Sequence, residues 1–339
     1  MSKNLTAFHL GTIRNYIKRK LLPKIGESSG HAELVVLDQR KRGPVILCKG
    51  AQGEFIVKRY RSPKRFSNAK TAHEYFSEQG ILCARIIHAQ ICLDPCGGVG
   101  TYFMVQERIR GPSADEVENR DEAVMRIGKA LAFMHSHTRT TWGSIGKPPI
   151  WGILYKPSFQ IISRQQKRGQ KSFSDNRHET SMHRLNELRQ RGGLTNTEAD
   201  NLARSMEKAK SQIPQRSLYE LIHGDLGPSQ IIFRDGTPVF IDLDAVGFGC
   251  FVYELIRMEC GLCRNDHERQ SLRDSYFAEA GQAHLDIYNS AKRFYELTYH
   301  LGRANHCLKR SIQRNEQEGA SHFLQQYEFH KEQLISFIN

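Results

Sequence analysis

The sequence has no apolar run long enough to cross a membrane. Its longest apolar stretches, such as AELVVL and FIVK, are far shorter than the roughly 20 residues that a transmembrane helix requires. The opening stretch, MSKNLTAFHL, has no charged start followed by an apolar segment and a small-residue cleavage site, so no secretory signal is readable. We therefore expect a cytoplasmic protein with no membrane span.

A disulfide framework is also missing. The eight cysteines are scattered along the chain, and without a secretory signal they are expected to be reduced thiols. Two close pairs, Cys92 with Cys96 and Cys260 with Cys263, have a spacing that zinc can use, but no histidine pair accompanies either of them. We favour buried or surface thiols over a zinc site.

Acidic residues are fewer than basic ones, at 36 against 49, which gives a formal charge of +13. Such an excess suits an anionic partner. The basic stretches 13–24, 58–66 and 163–178 do not interleave aromatic residues in the way that a base-stacking platform would. A solvated basic surface is favoured, and nucleic-acid binding is the weaker alternative. The sequence gives no sign of the oligomeric state.

Strand-like runs dominate the first third of the chain. An amphipathic helix is predicted over 5–22, and a second helix over 67–79 ends at Gly80. The first three strand candidates are joined by short turn-like links, which predicts an antiparallel meander. The strand candidates are 33–38, 44–50, 54–60, 85–94 and 101–109.

Beyond Gly111 the pattern is mainly helical. A helix over 195–213 is predicted to begin at Thr195, with Glu198 completing a capping box, whereas 160–195 is weakly periodic and predicts a mobile or surface insertion. This order predicts an α+β fold with a small antiparallel β-rich N-lobe over 1–110 and a larger, mainly helical C-lobe over 111–339. A cleft between two unequal lobes is a natural small-molecule site.

Lys58 lies in the middle of the third strand candidate, beside apolar residues. A lysine in that position is unusual unless its ammonium meets an anion, although an edge-strand lysine whose tip reaches solvent is the alternative. Glu74 follows sixteen residues later on the predicted helix and is placed to pair with Lys58. Glu78, one turn further on, is the competing partner.

Two aspartates mark a second group of candidate functional residues. Asp225 stands in the loop HGDLGPSQ just ahead of a strand, where a fixed carboxylate can accept or orient a hydroxyl proton. Asp242 ends the next strand, PVFID, across a hairpin, and carboxylate oxygens are suitable ligands for Mg²⁺. Asp244 is either a second ligand or a cap for the segment that follows.

These motifs resemble a known family. HGDLGPSQIIF, PVFIDLDAVGFG and VYELIR are similar to the aminoglycoside phosphotransferase-like branch of the protein-kinase-like fold, which also includes choline kinases. FIVKRY resembles the strand that carries the nucleotide-binding lysine, FMVQERIRG the hinge, and ALAFMHSH the helix before the catalytic region. The resemblance covers most of the chain and implies the bilobal fold of that family.

The resemblance also implies roles for individual residues. Asp225 would be the catalytic base and Asp242 the main magnesium ligand. Lys58 would contact the α- and β-phosphates of ATP or GTP, and Glu74 would hold Lys58 in place. The backbone of 105–107, which includes Gln106 and Glu107, would receive the adenine edge.

Several positions depart from the family pattern. Gln230 stands where the family carries a magnesium-binding asparagine, and its amide reaches one methylene further. A G-x-G-x-x-G motif is absent, which leaves the turn at 38–43 to cover the phosphates. Gly224 replaces the arginine of regulated protein kinases, and Glu254 stands in Tyr-Glu-Leu where Tyr-Asp-Leu is usual.

The predicted function is phosphate transfer from ATP or GTP, with Mg²⁺, to a hydroxyl of a sugar, amino alcohol or aminoglycoside-like acceptor. The basic stretch 143–192 favours a neutral or anionic acceptor, whereas acidic residues between 259 and 279 keep an aminoglycoside open. The alternative is a pseudokinase or nucleotide-binding regulatory protein whose metal site is weakened by Gln230. A protein kinase is disfavoured because no activation segment is evident after Asp242.

Overall fold

The computed structural model describes residues 7–28, 32–38, 44–92, 101–146, 171–314 and 319–338. Helix α1 continues directly into a π turn and a 3-10 turn that end at Ile25. The remaining short 3-10 turns lie at Pro228–Gln230 and Leu243–Ala245. The helices are α1 Ala7–Tyr16, α2 Pro63–Glu78, α3 Arg120–His135, α4 Phe173–Gln190, α5 Asn196–Ser211, α6 Phe251–Gly261, α7 Asp266–Ala280, α8 Gln282–Arg314 and α9 Ala320–Ile335.

The five longest described strands lie within 33–107, as the alternation of apolar residues predicts. The strands are β1 Glu33–Asp38, β2 Val45–Gly50, β3 Gly53–Tyr60, β4 Ile86–Cys92, β5 Thr101–Glu107, β6 Thr138–Arg139, β7 Gly143–Ser144, β8 Tyr219–Ile222, β9 Ile231–Arg234, β10 Thr237–Phe240 and β11 Gly247–Gly249. No described helix is long and apolar enough to cross a membrane.

Contacts between Cα atoms divide the chain into two compact units. The first unit contains 1–126, 143–159 and 223–247, and the second contains 127–142, 160–222 and 248–339. The loop that carries Asp225 and the hairpin that follows it therefore group with the N-terminal sheet. The division into lobes at residues 110 and 111 stays a prediction.

The first unit is built on a five-stranded antiparallel sheet with the order β1-β2-β3-β5-β4. The predicted meander of β1, β2 and β3 is present, although its first link, 39–43, lies outside the described residues. Ile13, Ile17 and Leu21 of the N-terminal helical segment are fully buried in a cluster with Val57 and Phe103 of the sheet. This packing fixes β3, the strand that carries Lys58.

Helix α2 begins earlier than the sequence pattern predicts. The Ser62 hydroxyl accepts a hydrogen bond from the amide of Arg65, and Pro63 occupies the first helical position, where no amide hydrogen is needed. The helix buries one face, formed by Phe66, Ala69, Ala72, His73 and Phe76 among others. The packing of this face fixes the rotation of α2 about its axis, and with it the residues that point towards Lys58.

The hairpin of β9 and β10 closes through Asp235 and Gly236, which both have positive φ, at 51° and 73°. A two-residue turn of this kind matches the right-handed twist of its strands. Gly111 packs against the hairpin so closely that a Cβ there would lie 1.9 Å from the carbonyl oxygen of Phe233. The amide of Phe233 donates to the carbonyl of Pro112, which holds the hairpin against the chain that leaves β5.

The second unit is mainly helical. Its longest helix, α8, packs against α4, α6 and α9. The predicted capping box of Thr195 and Glu198 is present at the start of α5. Within 160–195, predicted as a mobile or surface insertion, residues 173–190 form α4 behind a capping box of Ser172 and Asp175, while 160–170 lie outside the described residues. Local capping stabilises this helix although its apolar periodicity is weak.

Glu254 is fully buried in the second unit. Its carboxylate lies 3.2 Å from Nε2 of His135, and Nδ1 of the same ring lies 3.0 Å from the hydroxyl of Tyr276. The sequence predicts a structural role for Glu254, and these contacts place it within the packing of α3, α6 and α7.

Candidate active site

Lys58 and Asp242 form an ion pair in the first unit. Nζ of Lys58 lies 3.1 Å from Oδ1 of Asp242, with side chains that are 14% and 47% exposed. Lys58 belongs to a central strand, between Val45 of β2 and Met104 of β5, so it is not on the sheet edge. The anion that the sequence predicts beside the Lys58 ammonium is the carboxylate of Asp242.

Asp242 adopts a left-handed backbone, with φ 64° and ψ 49°. This conformation costs a residue other than glycine about 1–2 kcal/mol and persists where the surroundings impose it. The preceding residue, Ile241, donates its amide to the carbonyl of Gln230, and its own carbonyl accepts from Nε2 of His223. The loop that carries Asp225 therefore holds the chain in place just before Asp242.

Asp244 lies two residues further on and is held from two sides. The hydroxyl of Tyr60 donates to its carboxylate at 3.0 Å. The side-chain amide of Asn68 donates to the backbone carbonyls of Asp244 and Val246, both at 2.9 Å. Burial, together with the negative charge of Asp242, raises the pKa of Asp244. The two carboxylates are therefore close enough to repel each other.

One cavity of about 420 Å³ brings the candidate catalytic and metal-binding aspartates together. Asp225 is exposed at the end of a turn in which Gly224 has φ 81°, and a Cβ on Gly224 would lie 2.5 Å from the carbonyl oxygen of Ala245. The cavity also has cationic side chains, Lys64 and Arg65. Its lining residues are Ser62, Lys64, Arg65, Asn68, Ser144, Gly224, Asp225, Asp242, Asp244 and Ala245.

The residues around this cavity fit a magnesium ion. A cation between Asp242 and Asp244 would relieve the repulsion from Asp242, which adds to burial in raising the pKa of Asp244. In the described part of the chain, no group of three or more His, Cys, Asp and Glu side chains is placed to hold a metal ion by itself. Magnesium does not need such a group, since it takes one or two carboxylates and completes its shell with water and phosphate oxygens.

Gln230 does not line this cavity, whose lining residues are all described. Its amide oxygen turns back towards its own loop, 2.9 Å from the point where a Cβ on Gly227 would lie. The backbone amide of Gln230 donates to the carbonyl of Gly227 in a short 3-10 turn. The structure thus brings Asp225 and Asp242 together and turns the Gln230 side chain elsewhere.

Glu74 is not brought to Lys58. Its half-exposed carboxylate lies 3.4 Å from the ammonium of Lys70, one helical turn earlier. The buried neighbour, His73, faces the site instead, and Nε2 of His73 lies 2.5 Å from the side-chain nitrogen of Gln106. Burial, and then the positive charge of Lys58, lower the pKa of His73 to about 4, so its ring is neutral at pH 7.

Charge alone predicts Glu74 as the partner of Lys58 and passes over His73. A signal was present, because Ala69, His73 and Phe76 recur at the spacing of one helix face. Consecutive helical residues are turned by 100° from each other, so Glu74 points away from a face that includes His73. Helical phase would have placed His73, and not Glu74, on the buried face of the helix.

The predicted adenine-facing backbone, 105–107, lies within a central strand of the sheet. Val105 pairs with both β3 and β4, and the amide of Glu107 donates to the carbonyl of Arg85 at 3.0 Å. The Gln106 side chain is buried, and the Glu107 carboxylate accepts from the amide of Arg85. The amide of Glu107 and the backbone of Val105 are thus engaged within the sheet, and the role of 105–107 at an adenine edge stays a prediction.

Comparisons with known proteins bear on the family and on the fold. A model of the phosphotransferase enzyme family (APH) matches residues 40–292. No curated protein matches the sequence significantly. The protein-kinase-like fold prediction is confirmed by similar solved structures that cover nearly the whole chain.

Three of these structures illustrate the likeness. Aminoglycoside phosphotransferase APH(4)-Ia has 11% identity and a TM-score of 0.62, over 97% of this chain and 98% of that one. Spectinomycin phosphotransferase APH(9)-Ia, in complex with ADP and spectinomycin, has 14% identity and a TM-score of 0.55, over 94% and 97%. An ethanolamine kinase from Plasmodium vivax has 16% identity and a TM-score of 0.57, over 95% and 88%.

Proposed function

The chain belongs to the APH phosphotransferase enzyme family, and from that premise we propose that it transfers the γ-phosphate of ATP or GTP to a hydroxyl of a small molecule. The observation that carries this proposal is the single cavity that Asp225 and Asp242 share, with Lys58 paired to Asp242. Transfer of a phosphoryl group depends mainly on positioning and on neutralising charge, and these residues supply both.

Lys58, Lys64 and Arg65 are the cations available to the nucleotide phosphates. Lys58 is mostly buried beside Asp242, so its ammonium is already desolvated and held in one place. A phosphate oxygen that entered the cavity would share this ammonium with Asp242. Asp242 and Asp244 would hold the magnesium ion, which supplies charge neutralisation at the phosphate oxygens when it is bound.

Asp225 is proposed to orient the acceptor hydroxyl and to accept its proton. Its exposed carboxylate lines the same cavity as Asp242, while the turn at Gly224 fixes the backbone that carries it. Gly224 leaves room for the carbonyl of Ala245, which a side chain would displace. A base fixed in this way is ready for a hydroxyl without further rearrangement.

The acceptor is proposed to be a sugar, an amino alcohol or an aminoglycoside-like compound. Proteins of similar fold act on acceptors as different as spectinomycin and ethanolamine, so the fold does not select among these classes. The formal charge of +13 supports a neutral or anionic acceptor over a polycation.

A nucleotide-binding protein without transferase activity is the second candidate. One observation favours it: the side chain of Gln230, at the position of a metal ligand in related kinases, turns towards Gly227 and away from the aspartates. The presence of Asp225 and Asp242 on one cavity, with Lys58 paired to Asp242, supports the enzyme more strongly.

The test is phosphate transfer from ATP and from GTP to a panel of sugars, amino alcohols and aminoglycosides, with and without Mg²⁺. We expect Asp225→Ala to lower kcat by about 10²–10⁴-fold while the affinity for the nucleotide changes little. Asp200→Ala, which removes an exposed carboxylate on α5, is the matched control. Full turnover by Asp225→Ala would remove Asp225 from the reaction, and nucleotide binding without any turnover would favour the second candidate.

A further inference from the structure

Three arginines converge on one tyrosine in the second unit. The guanidinium carbon of Arg177 lies 4.2 Å from the ring centre of Tyr253 and 4.8 Å from that of Phe173. Arg257, one turn after Tyr253 on α6, donates to the Tyr253 hydroxyl at 3.3 Å. Arg184, two turns after Arg177 on α4, is close enough for its charge to act on the other two arginines.

Two of these arginines lack the acidic partners that neighbouring arginines have. Within the described part of the chain, neither Arg177 nor Arg184 forms an ion pair, and Nε of Arg177 is buried without a hydrogen-bond partner. Two other arginines nearby are paired: Arg189 of α4 with Asp200 at 3.6 Å, and Arg191, just after α4, with Glu187 at 3.1 Å. Within α4, the half-buried arginines Arg177 and Arg184 are thus the ones without an acidic partner.

The positive charge of the three arginines shifts the pKa values of Arg184 and Tyr253. Burial lowers the pKa of Arg184, and the charges of Arg177 and Arg257 lower it further. Burial would raise the pKa of Tyr253, but the pKa is lowered because Arg177, Arg257 and Arg184 surround its hydroxyl. Both shifts mark a region of positive potential around Arg177, Arg184 and Arg257, in which Glu187 is the carboxylate that acts on Arg184.

We propose that Arg177, Arg184 and Arg257 form an anion-binding site for the phosphate or carboxylate group of a small molecule. The Arg177 guanidinium lies over the rings of Tyr253 and Phe173, which are cation–π partners, and its Nε–H group has no protein acceptor and is left for an oxyanion. The three guanidiniums are half-buried, so an anion can reach them while its interaction with them is only partly screened.

Gly302 on α8 makes room for this arrangement. A Cβ at this position would lie 2.7 Å from Nη1 of Arg184, so a larger residue would push the guanidinium away from Tyr253. The site therefore draws on three helices, α4, α6 and α8. It is independent of the proposed transferase chemistry, since all its residues lie outside the Asp225 cavity.

The test is calorimetric titration of the full chain with inorganic phosphate, and separately with acetate, at constant ionic strength adjusted with chloride. We expect saturable binding of at least one of the two anions by the wild type. In the double variant Arg177→Gln, Arg184→Gln its affinity should fall at least about tenfold, because each lost charge-assisted hydrogen bond is worth about 1.5–3 kcal/mol, that is about tenfold or more. Arg189→Gln, on the same helix, should bind like the wild type.

Phosphate also has a possible site beside Lys64 and Arg65, so the site of binding must be assigned. Arg65→Gln should leave the measured affinity unchanged if the binding is at Arg177 and Arg184. If the double variant does not fold, Arg177→Lys and Arg184→Lys are the substitutes, because lysine keeps the charge but lacks the planar fork of the guanidinium. Each should weaken binding, and an unchanged near-ultraviolet circular dichroism spectrum would show that the fold is intact. Absence of saturable binding to both anions, or a loss of affinity that follows Arg65 instead, would overturn the proposal.

Discussion

The ammonium of Lys58 lies 3.1 Å from the carboxylate of Asp242, a residue 184 positions away in the sequence. The pair joins the central sheet of the first unit to the end of its hairpin. In the proposed enzyme, Lys58 would bind phosphate and Asp242 would bind the metal. The ion pair holds these two side chains beside each other before the nucleotide binds. The pair is partly exposed, so its importance lies in positioning more than in stability.

Asp242→Asn is expected to weaken the binding of ATP with Mg²⁺ at least about tenfold, since a charged ligand of the proposed metal site becomes a neutral amide. Calorimetric titration of the nucleotide with Mg²⁺ measures this. Asp225→Asn is the matched control, because it makes the same chemical change in the same cavity and should leave the affinity within a few-fold of the wild type. Equal affinities for the wild type and Asp242→Asn would contradict the metal assignment.

Gln230→Asn is expected to lower the Mg²⁺ concentration needed for half-maximal activity. The side-chain amide of Gln230 turns towards Gly227. The amide of asparagine is one methylene shorter and cannot reach the same position. Gln230→Ala tells whether the amide has any role, since an unchanged Mg²⁺ requirement there would mean that the amide does not assist the metal. No turnover in wild type or variants with any acceptor would favour a nucleotide-binding protein without transferase activity.

Gly224→Ala is expected to destabilise the protein by more than about 2 kcal/mol and to lower kcat, because two costs combine. An alanine at φ 81° is strained by about 1–2 kcal/mol, and its Cβ would meet the carbonyl oxygen of Ala245 at 2.5 Å. Gly80→Ala separates these costs, since Gly80 has a similar φ of 72° but nothing within 4 Å of the added carbon. Urea unfolding and steady-state kinetics measure both variants, and equal losses would show that the Ala245 contact is unimportant.

His300 and His330 are expected to make the second unit sensitive to acid. Their Nδ1 atoms lie 3.0 Å apart, and both rings are buried between α8 and α9. Burial, with a smaller contribution from the charge of Arg269, lowers the pKa of His300 to about 4. Burial, with the charges of His300 and Arg303, lowers the pKa of His330 to about 3.

Because these pKa values lie below the unfolded value of 6.5, the unfolded chain takes up protons first as the pH falls. The stability contributed by the neutral pair is thus complete above pH 6.5 and is lost progressively towards pH 4 and 3. Urea unfolding between pH 7 and 4 should show a loss of about 1–3 kcal/mol that His330→Gln reduces. His322→Gln, at an exposed histidine of α9, should keep the wild-type pH dependence, and a His330→Gln profile identical to the wild type would refute the assignment.

The elements that depend on neighbours in sequence were predicted closely. The strand at Glu33–Asp38 has the predicted bounds, and Thr195 with Glu198 caps α5 as expected. Alternation along a strand and capping at a helix start are both decided within a few residues, so a single sequence contains them. Helix α4 was missed because its apolar periodicity is weak, although Ser172 and Asp175 carried the same type of cap.

The sequence by itself determined the residue types available to the site: Lys58 in a strand, Asp225 in a tight turn and Asp242 after a hairpin. Only the tertiary structure decided which of them meet. Asp242, and not Glu74, lies against Lys58, because the phase of α2 points His73 inward and Glu74 towards Lys70. The direction of the Gln230 side chain was likewise decided by the fold of its loop. Residue identity sets which chemistry is available, and the backbone sets the direction in which the side chain points.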